Sequence, residues 1–400
     1  MKTIFDTVVD RGIDSGVKGI KWQGYESLFP GYRIESENSI PMWVADMDFP
    51  CPPEVVEAVV NRARHGIYGY VDGVATGALI EAAVAWFDRR YNLKWRPEWM
   101  LFSPGVVPGL NTAVQEFSQA GQGVIIQPPV YYPFRQVLEI NNRLVVNNQL
   151  IKKDGSYEMN FEELESLARV ENNVLMILCN PHNPVGRVWR PDELEKVSRI
   201  CHENNVILFS DEIHCDLMLK GSVFTSVGFF ERYLDNSIFA HAPSKTFNLA
   251  GLQMALISVP DKVKRESFRH RMHINSLPDD NAFAVTAGEA AYRFGDDYVD
   301  RLGPYIEKNV RYVIERLGQE LREIEIIEPE GTYMLWVDFS RLNSDDDAVR
   351  RTLFERARVI VNPGDWFGPG GQGFVRMNLA CPHSTVVEAV SRITTAFQLK

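Results

Sequence analysis

Between residues 99 and 259 short apolar runs alternate with stretches of helical periodicity, and this alternation constrains the fold more than any other feature. The runs expected as strands are Met100–Ser103, Val124–Gln127, Arg143–Asn148, Val174–Cys179, Val206–Ser210, Ser237–Ala242 and Met254–Val259. Helical patterns over about 107–120, 132–141, 160–170 and 190–204 separate most of them. Strands joined through helices pair in parallel, in a sheet covered on both faces. Ligands of such sheets collect beyond the carboxyl ends of the strands.

The flanking segments read differently. Residues 1–40 have weak periodicity and suit an extended arm. Pro41–Pro50 is densely apolar but carries Asp46 and Asp48, which suits a buried strand and turn. Pro52-Pro53-Glu54 opens a helix expected to run to about Arg64, since proline is tolerated in a first turn. A loop, Gly66–Tyr70, and an amphipathic helix over 77–91 follow. After 261 come helices over about 261–273, 281–294 and 297–323, then strands Glu325–Glu328 and Thr332–Asp338. Helix 346–357, strands Val359–Val361 and Phe374–Leu379, and a closing helix 384–398 complete the pattern. The expected architecture is α/β: a large domain, 46–285, with a mainly parallel seven-stranded sheet. Residues 286–400 make a smaller α+β domain, with the arm 1–45 folded back on it.

The formal net charge of −11 opposes non-specific binding to nucleic acid or to an anionic membrane. Five cysteines form no CxxC pair and are too sparse for a disulfide framework, which suits reduced thiols in a cytoplasm. The first residues lack the apolar run of a signal peptide, and no run is long and apolar enough for a membrane span.

Four stretches follow predicted strands and carry chemistry. In Ala242–Gln253 a single lysine, Lys245, sits among apolar and small residues, and no charge follows it until Asp261. Desolvation disfavours an ammonium, so this setting favours the neutral amine that an imine with an aldehyde requires. A partly buried structural lysine would look the same. Ser103-Pro104-Gly105-Val106-Val107 joins a strand to a helix, where backbone amides suit a phosphate, although tight βα turns are common. Asn180-Pro181-His182-Asn183-Pro184 is a rigid turn whose asparagine can donate inward or bond its own backbone. Asp211 ends another strand and needs a cationic or hydrogen-bonding partner, such as a protonated ring nitrogen; His214 can reach the same ligand. Asp-Glu-x-His invites a metal reading, but no HExxH or second histidine pair supports one. Gly368–Gly373 precedes a strand and opens no helix, so it is read as a loop beside Arg376 rather than a nucleotide fingerprint.

Amides, asparagine, aspartate and lysine on successive strand ends are the set that pyridoxal 5′-phosphate (PLP) needs. The sequence here resembles the fold-type I PLP enzymes of aminotransferase class I/II, in the cystathionine β-lyase/C–S lyase branch of MalY/PatB type. The resemblance spans essentially the whole chain. It is carried by PMWVADMDFP (41–50), HGIYGY (65–70), PPVYYPF (128–134), NPHNPVGRVW (180–189), SDEIHCDL (210–217), APSKTFNLAGLQ (242–253), EGTYMLWVDF (330–339) and FVRMNLA (374–380). It implies that Lys245 forms the imine, Asp211 faces the pyridine nitrogen, Asn183 donates to the ring hydroxyl and Tyr131 stacks on the ring. Val106, Val107 and Ser244 resemble phosphate contacts, and His214 lies with the cofactor. Tyr132 and Ala45 face the substrate, and Arg376 resembles the arginine that holds its carboxylate, though a structural ion pair would also suit that residue. Tyr70 resembles a tyrosine that reaches the cofactor of the other subunit, which implies a homodimer. His214 and Gln253 stand where many aminotransferases carry tyrosine and a phosphate-binding arginine, and both fit the lyase branch.

The implied activity is carbon–sulfur β-elimination from L-cystathionine or another S-substituted cysteine, giving thiol, pyruvate and ammonia. An aminotransferase would use the same groups, and only the resemblance favours the lyase. A PLP-binding regulator without turnover is disfavoured by the acidic charge and the lack of a basic helix-turn-helix extension.

Overall fold

A computed structural model describes residues 3–11, 19–277 and 280–398. All seven expected strands meet in one sheet. Its order is Met100–Ser103, Ala255–Ser258, Ser237–His241, Ile207–Asp211, Asn173–Cys179, Gly123–Ile126, Leu144–Asn147. The last five in that order run parallel. Ala255–Ser258 is antiparallel to both neighbours. The segment feeding it from Ser237–His241 holds only a 3₁₀ turn, Ala250–Leu252, and no crossover helix. Without a crossover the chain doubles back, and the strand it forms is antiparallel. The inner strands are apolar along nearly their whole length because helices cover both faces; edge strand Leu144–Asn147 is partly exposed.

A second sheet is antiparallel, in the order Glu325–Ile327, Met334–Asp338, Phe374–Asn378, Asn362–Pro363. Helices Asp296–Glu320 and His383–Gln398 pack together beside it. The N-terminal arm is pinned by aromatic contacts rather than by regular structure. Phe5 packs edge-on against Phe49 and Tyr298, and Phe29 stacks on Trp366 at 5.3 Å. Ile40–Pro41 then pairs in parallel with Val359–Ile360. No helix among the described residues is long and apolar enough to cross a membrane.

Two local features depart from the sequence expectation. Ile151–Lys153 and Ser156–Glu158 form a hairpin across Asp154-Gly155, both at positive φ. That dipeptide is a strong hairpin signal, masked here by polar flanks that show no clear alternation. The helix expected over 346–357 ends its α-helical part at Arg351 and continues as a π turn, Thr352–Arg356.

Two loops that face each other are fixed by buried polar groups. Asp48 accepts from Arg11, buried Lys21 and the Trp22 indole at 2.8, 2.8 and 2.9 Å, so the arm clamps the loop after Pro41. Buried charges persist when paired and fully hydrogen-bonded, as this one is. In the Asn180–Val188 turn, Arg187 reaches Glu330 at 2.5 Å and Glu193 at 3.0 Å. The Gly186 carbonyl accepts from the Glu330 and Gly331 amides. Gly186 has φ +74°, and a Cβ there would lie 2.5 Å from Pro329 Cβ. Gly186→Ala therefore meets both a conformational and a steric penalty, and about 1–3 kcal/mol of stability should be lost, read as a lower urea midpoint at unchanged slope.

Candidate active site

A cleft with about 760 Å³ of free space opens at the carboxyl ends of the sheet strands. Its walls come from the connections that the sequence singled out: Pro104–Pro108, Cys179 and Asn183, Asp211 with Ile213 and His214, and Ser244–Lys245 with Gln253. Ala45 and Tyr131 close it. The cleft brings together residues as far apart in the chain as Ala45 and Lys245.

At one end the helix Val106–Phe117 begins. Its first internal bond runs from the Gly109 amide to the Gly105 carbonyl. The amides of Val106 and Val107 precede that bond and have no partner among the described residues, leaving two donors at a helix start for an anion. Ser103 Oγ donates to the Gly105 carbonyl at 2.8 Å and fixes the turn.

Asp211 lies deeper. It is buried, and its carboxylate accepts from the Ile213 amide at 3.1 Å. Burial weakens it as an acid, pushing its pKa up to about 7. A carboxylate so placed gains from a cation brought by a ligand. Lys245 is held below the usual lysine range, chiefly by burial. Its Nζ donates to the Ala45 carbonyl at 2.9 Å. His214 is buried, its Nδ1 has no partner, and burial lowers its basicity to about 3, so its imidazole is neutral at physiological pH.

Arg376 is 2% exposed on strand Phe374–Asn378. Its guanidinium donates to Asn183 Oδ1 at 2.9 Å, Asn362 Oδ1 at 2.6 Å and the Trp43 carbonyl at 3.0 Å. All of these are neutral oxygens, and Nε has no partner among the described residues. Burial lowers its basicity to about 10, which still leaves it charged at neutral pH. A buried cation held only by neutral groups is completed by an anion from outside. With Oδ1 engaged by Arg376, the Asn183 amide nitrogen remains as a donor.

Three of the expected residues stand outside the cleft lining: Arg376, which is bonded to Asn183 of that lining, Tyr132 and Tyr70. Tyr132 packs on Trp366 and Phe367, with its ring 5.4 Å from that of Tyr131. Tyr70 is fully exposed in the loop between helices Pro53–Arg64 and Gly73–Tyr91. Sequence reasoning missed Asn362, which braces Arg376, and Tyr333, whose hydroxyl meets the Ala45 carbonyl at 3.0 Å. Neither lies in a motif that carries chemistry on its own.

The arrangement fits PLP: two free helix-start amides for a phosphate, a buried carboxylate for a ring nitrogen, an amide donor, and a desolvated lysine. This fold and this donor set define a PLP-dependent class of enzyme. The chain matches the family model for aminotransferase class I and II over residues 38–393, and it belongs to that family. It is 41% identical over 382 residues to cystathionine beta-lyase PatB of Bacillus subtilis, covering 95% of this chain and 97% of that protein. It also resembles the crystal structure of cystalysin from Treponema denticola, which contains a pyridoxal 5′-phosphate cofactor. The TM-score there is 0.94 at 34% identity, over 100% of this chain and 99% of that one. The PLP-bound C–S lyase from Staphylococcus hominis matches with a TM-score of 0.91 at 30% identity, over 99% and 98% of the two chains.

The raised pKa of Asp211 has a consequence for the cofactor-free protein. Burial favours the neutral acid, so its contribution to stability is full below the model-peptide value of 3.8 and is lost as pH rises through about 7. Relative to Asp211→Asn, the cofactor-free wild type should lose on the order of a few kcal/mol between pH 4 and 8. Thermal melts of both proteins across that range check this; parallel curves would contradict it.

Proposed function

We propose that the protein is a PLP-dependent carbon–sulfur β-lyase that acts on L-cystathionine or a related S-substituted cysteine. The observation that carries the reading is the buried Arg376, without an anionic partner, bonded through Asn183 to the wall that holds Asp211 and Lys245. An amino acid whose carboxylate engages Arg376 is thereby set beside a lysine amine. The likeness to cystathionine beta-lyase PatB and to the two lyase structures supports elimination over transamination.

When bound, PLP supplies an electron sink for the electron pair of the substrate's Cα–H bond. The rest falls to the chain. Asp211 keeps the ring nitrogen protonated, and Asn183 donates to the ring hydroxyl. Val106, Val107 and Ser244 hold the phosphate, and Tyr131 packs on the ring. His214, kept neutral by burial, adds no charge that would compete with Asp211. Arg376 grips the carboxylate as a two-pronged fork, while Ala45 and Tyr132 border the substrate. Lys245, once free, takes the Cα proton as general base. The bond from Cβ to sulfur then breaks with its electrons leaving on the thiolate, and hydrolysis yields pyruvate and ammonia.

We take 46–285 as the cofactor-binding unit and 286–400 with the arm 1–45 as the smaller one. We also place the protein in the cytoplasm, where its five cysteines, all free, would stay reduced. The working form is a homodimer. Ile67, Tyr68, Tyr70 and Val74 form an exposed apolar strip, with Tyr70 wholly exposed, which suits coverage by a second copy whose cofactor Tyr70 reaches. Sedimentation should find a dimer, and Tyr70→Phe should weaken PLP retention without lowering the melting temperature of the cofactor-free protein; a fully active monomer would refute this.

Purified protein should release pyruvate and thiol from cystathionine. Amino exchange with a keto acid, without elimination, would instead establish an aminotransferase. Arg376→Lys keeps the charge and loses the fork. It should lower kcat/KM about ten- to a hundredfold, the equivalent of roughly 1.5–3 kcal/mol, with most of the loss in KM. Unchanged kcat/KM would remove Arg376 from the substrate site.

A further inference from the structure

The Ala45 carbonyl is the acceptor for two side chains at once. Lys245 Nζ donates to it at 2.9 Å and the Tyr333 hydroxyl at 3.0 Å, so amine and phenol are neighbours on one oxygen. The carbonyl is held from both sides. Asn378 Nδ2 donates to the flanking Val44 and Asp46 carbonyls, each at 2.7 Å, and Lys21 adds a bond to the Asp46 carbonyl. Asn248 brackets the next residues through Met47 and Phe49. Tyr333 is fixed as firmly. It is 1% exposed, its ring meets that of His214 edge-on at 6.1 Å, and the residue before it, Thr332, has φ +69°. A β-branched residue rarely adopts that conformation, and such outliers gather at functional sites. Thr332 is held there by its amide bond to the Leu217 carbonyl at 2.7 Å.

We propose that the Ala45 carbonyl and the Tyr333 hydroxyl together form a dock for the amine of Lys245 whenever it is not bonded to the cofactor, with Tyr333 as a positioning residue. This rests on Lys245 being the cofactor lysine. A lysine carries four rotatable bonds, and a free amine that wanders loses its aim at Cα. The dock holds it in one place. The phenol also occupies one lone pair of the carbonyl, which leaves a weaker acceptor for an ammonium and so favours the neutral amine. The other charged groups facing Lys245 divide: Asp46 and Asp211 favour its protonation, and Arg376 opposes it. His214 and Tyr131 also line the cleft, and both titrate outside the neutral range. Tyr333 adds a neutral contribution that none of these supplies.

The test uses Tyr333→Phe, which keeps the ring and removes only the hydroxyl. Cofactor-free protein is treated with trinitrobenzenesulfonate across a pH series, and modification of the Lys245 peptide is quantified by mass spectrometry. The pH midpoint for Lys245 should move up by about half a unit to one unit, and PLP capture at neutral pH should slow by about three- to tenfold. In the loaded enzyme kcat should fall by a similar factor while KM holds. Tyr298→Phe is the control, since its hydroxyl bonds the Pro50 carbonyl and not Lys245. It should leave the Lys245 midpoint and the capture rate unchanged. Equal midpoints and capture rates in Tyr333→Phe and wild type would overturn the dock, as would an equal shift in Tyr298→Phe. If Tyr333→Phe fails to fold, wild type carrying 3-fluorotyrosine keeps the question open to measurement, since a more acidic phenol should move the Lys245 midpoint down; no movement would overturn the dock. Borohydride trapping of PLP on a lysine other than Lys245 would instead defeat the cofactor assignment, and peptide mapping separates the two failures.

Discussion

The site depends on charges that the protein buries without neutralising. Asp211 is buried with a backbone amide as its hydrogen-bond donor, and Arg376 is buried with neutral oxygens around it. Burying an ion costs several kcal/mol unless a counter-charge arrives. On the proposed reading the counter-charges are brought by ligands: a protonated ring nitrogen for one, a carboxylate for the other. The empty cleft is thus the less favourable electrostatic state, and binding relieves it. The same burial acts on Lys245 in the opposite sense, holding its amine below the ordinary range. One cause, desolvation at the strand ends, raises an acid, lowers a base and leaves a guanidinium seeking an anion.

Such an arrangement holds only if the loops around it cannot relax. Asparagine side chains do much of that work. Asn248 and Asn378 bracket the carbonyls of residues 44–49, and Asn183 and Asn362 hold Arg376 from two sides. An amide offers a donor and an acceptor at no net charge, so it braces a backbone or a guanidinium without cancelling the field the site needs. A carboxylate at 362 would grip Arg376 more strongly and spoil it for substrate. The salt bridges of Asp48 with Arg11 and Lys21, and of Arg187 with Glu193 and Glu330, lie outside the cleft lining.

The sheet was legible because its signal is local. Each strand is a short apolar run, four of the six connections between them carry an α-helix, and residues just past a strand end must lie at one edge of the sheet. Lys245, Asp211, Asn183 and the Gly105–Val107 turn could therefore be grouped before any coordinates. Arg376 could not be grouped that way. It reaches the cleft from the second sheet, and the packing of one lobe on another leaves no periodic trace, so only family likeness pointed to it. Tyr333 and Asn362 stayed hidden for the same reason, since an apolar-flanked tyrosine or asparagine reads as core until its hydrogen-bond partner is seen. Tyr70 marks a different limit. Its motif was visible, but a single chain leaves its side chain fully exposed, with no cleft for it to enter.

On the proposed reading, the bond between Arg376 and Asn183 joins the two binding events that the cleft serves. Asn183 offers its oxygen to the guanidinium and keeps its nitrogen for the cofactor ring. A carboxylate acceptor gives electron density to the guanidinium, so the N–H bonded to Asn183 becomes a weaker donor, and the less polarised amide a weaker donor on its other side. Seating of the substrate would thereby be felt at the ring. The coupling runs through one neutral side chain and needs no movement of the loops that the other asparagines hold still. It gives the rigid cleft a reason to place a neutral amide, rather than a charge, between the residue that recognises the substrate and the group that accepts its electrons.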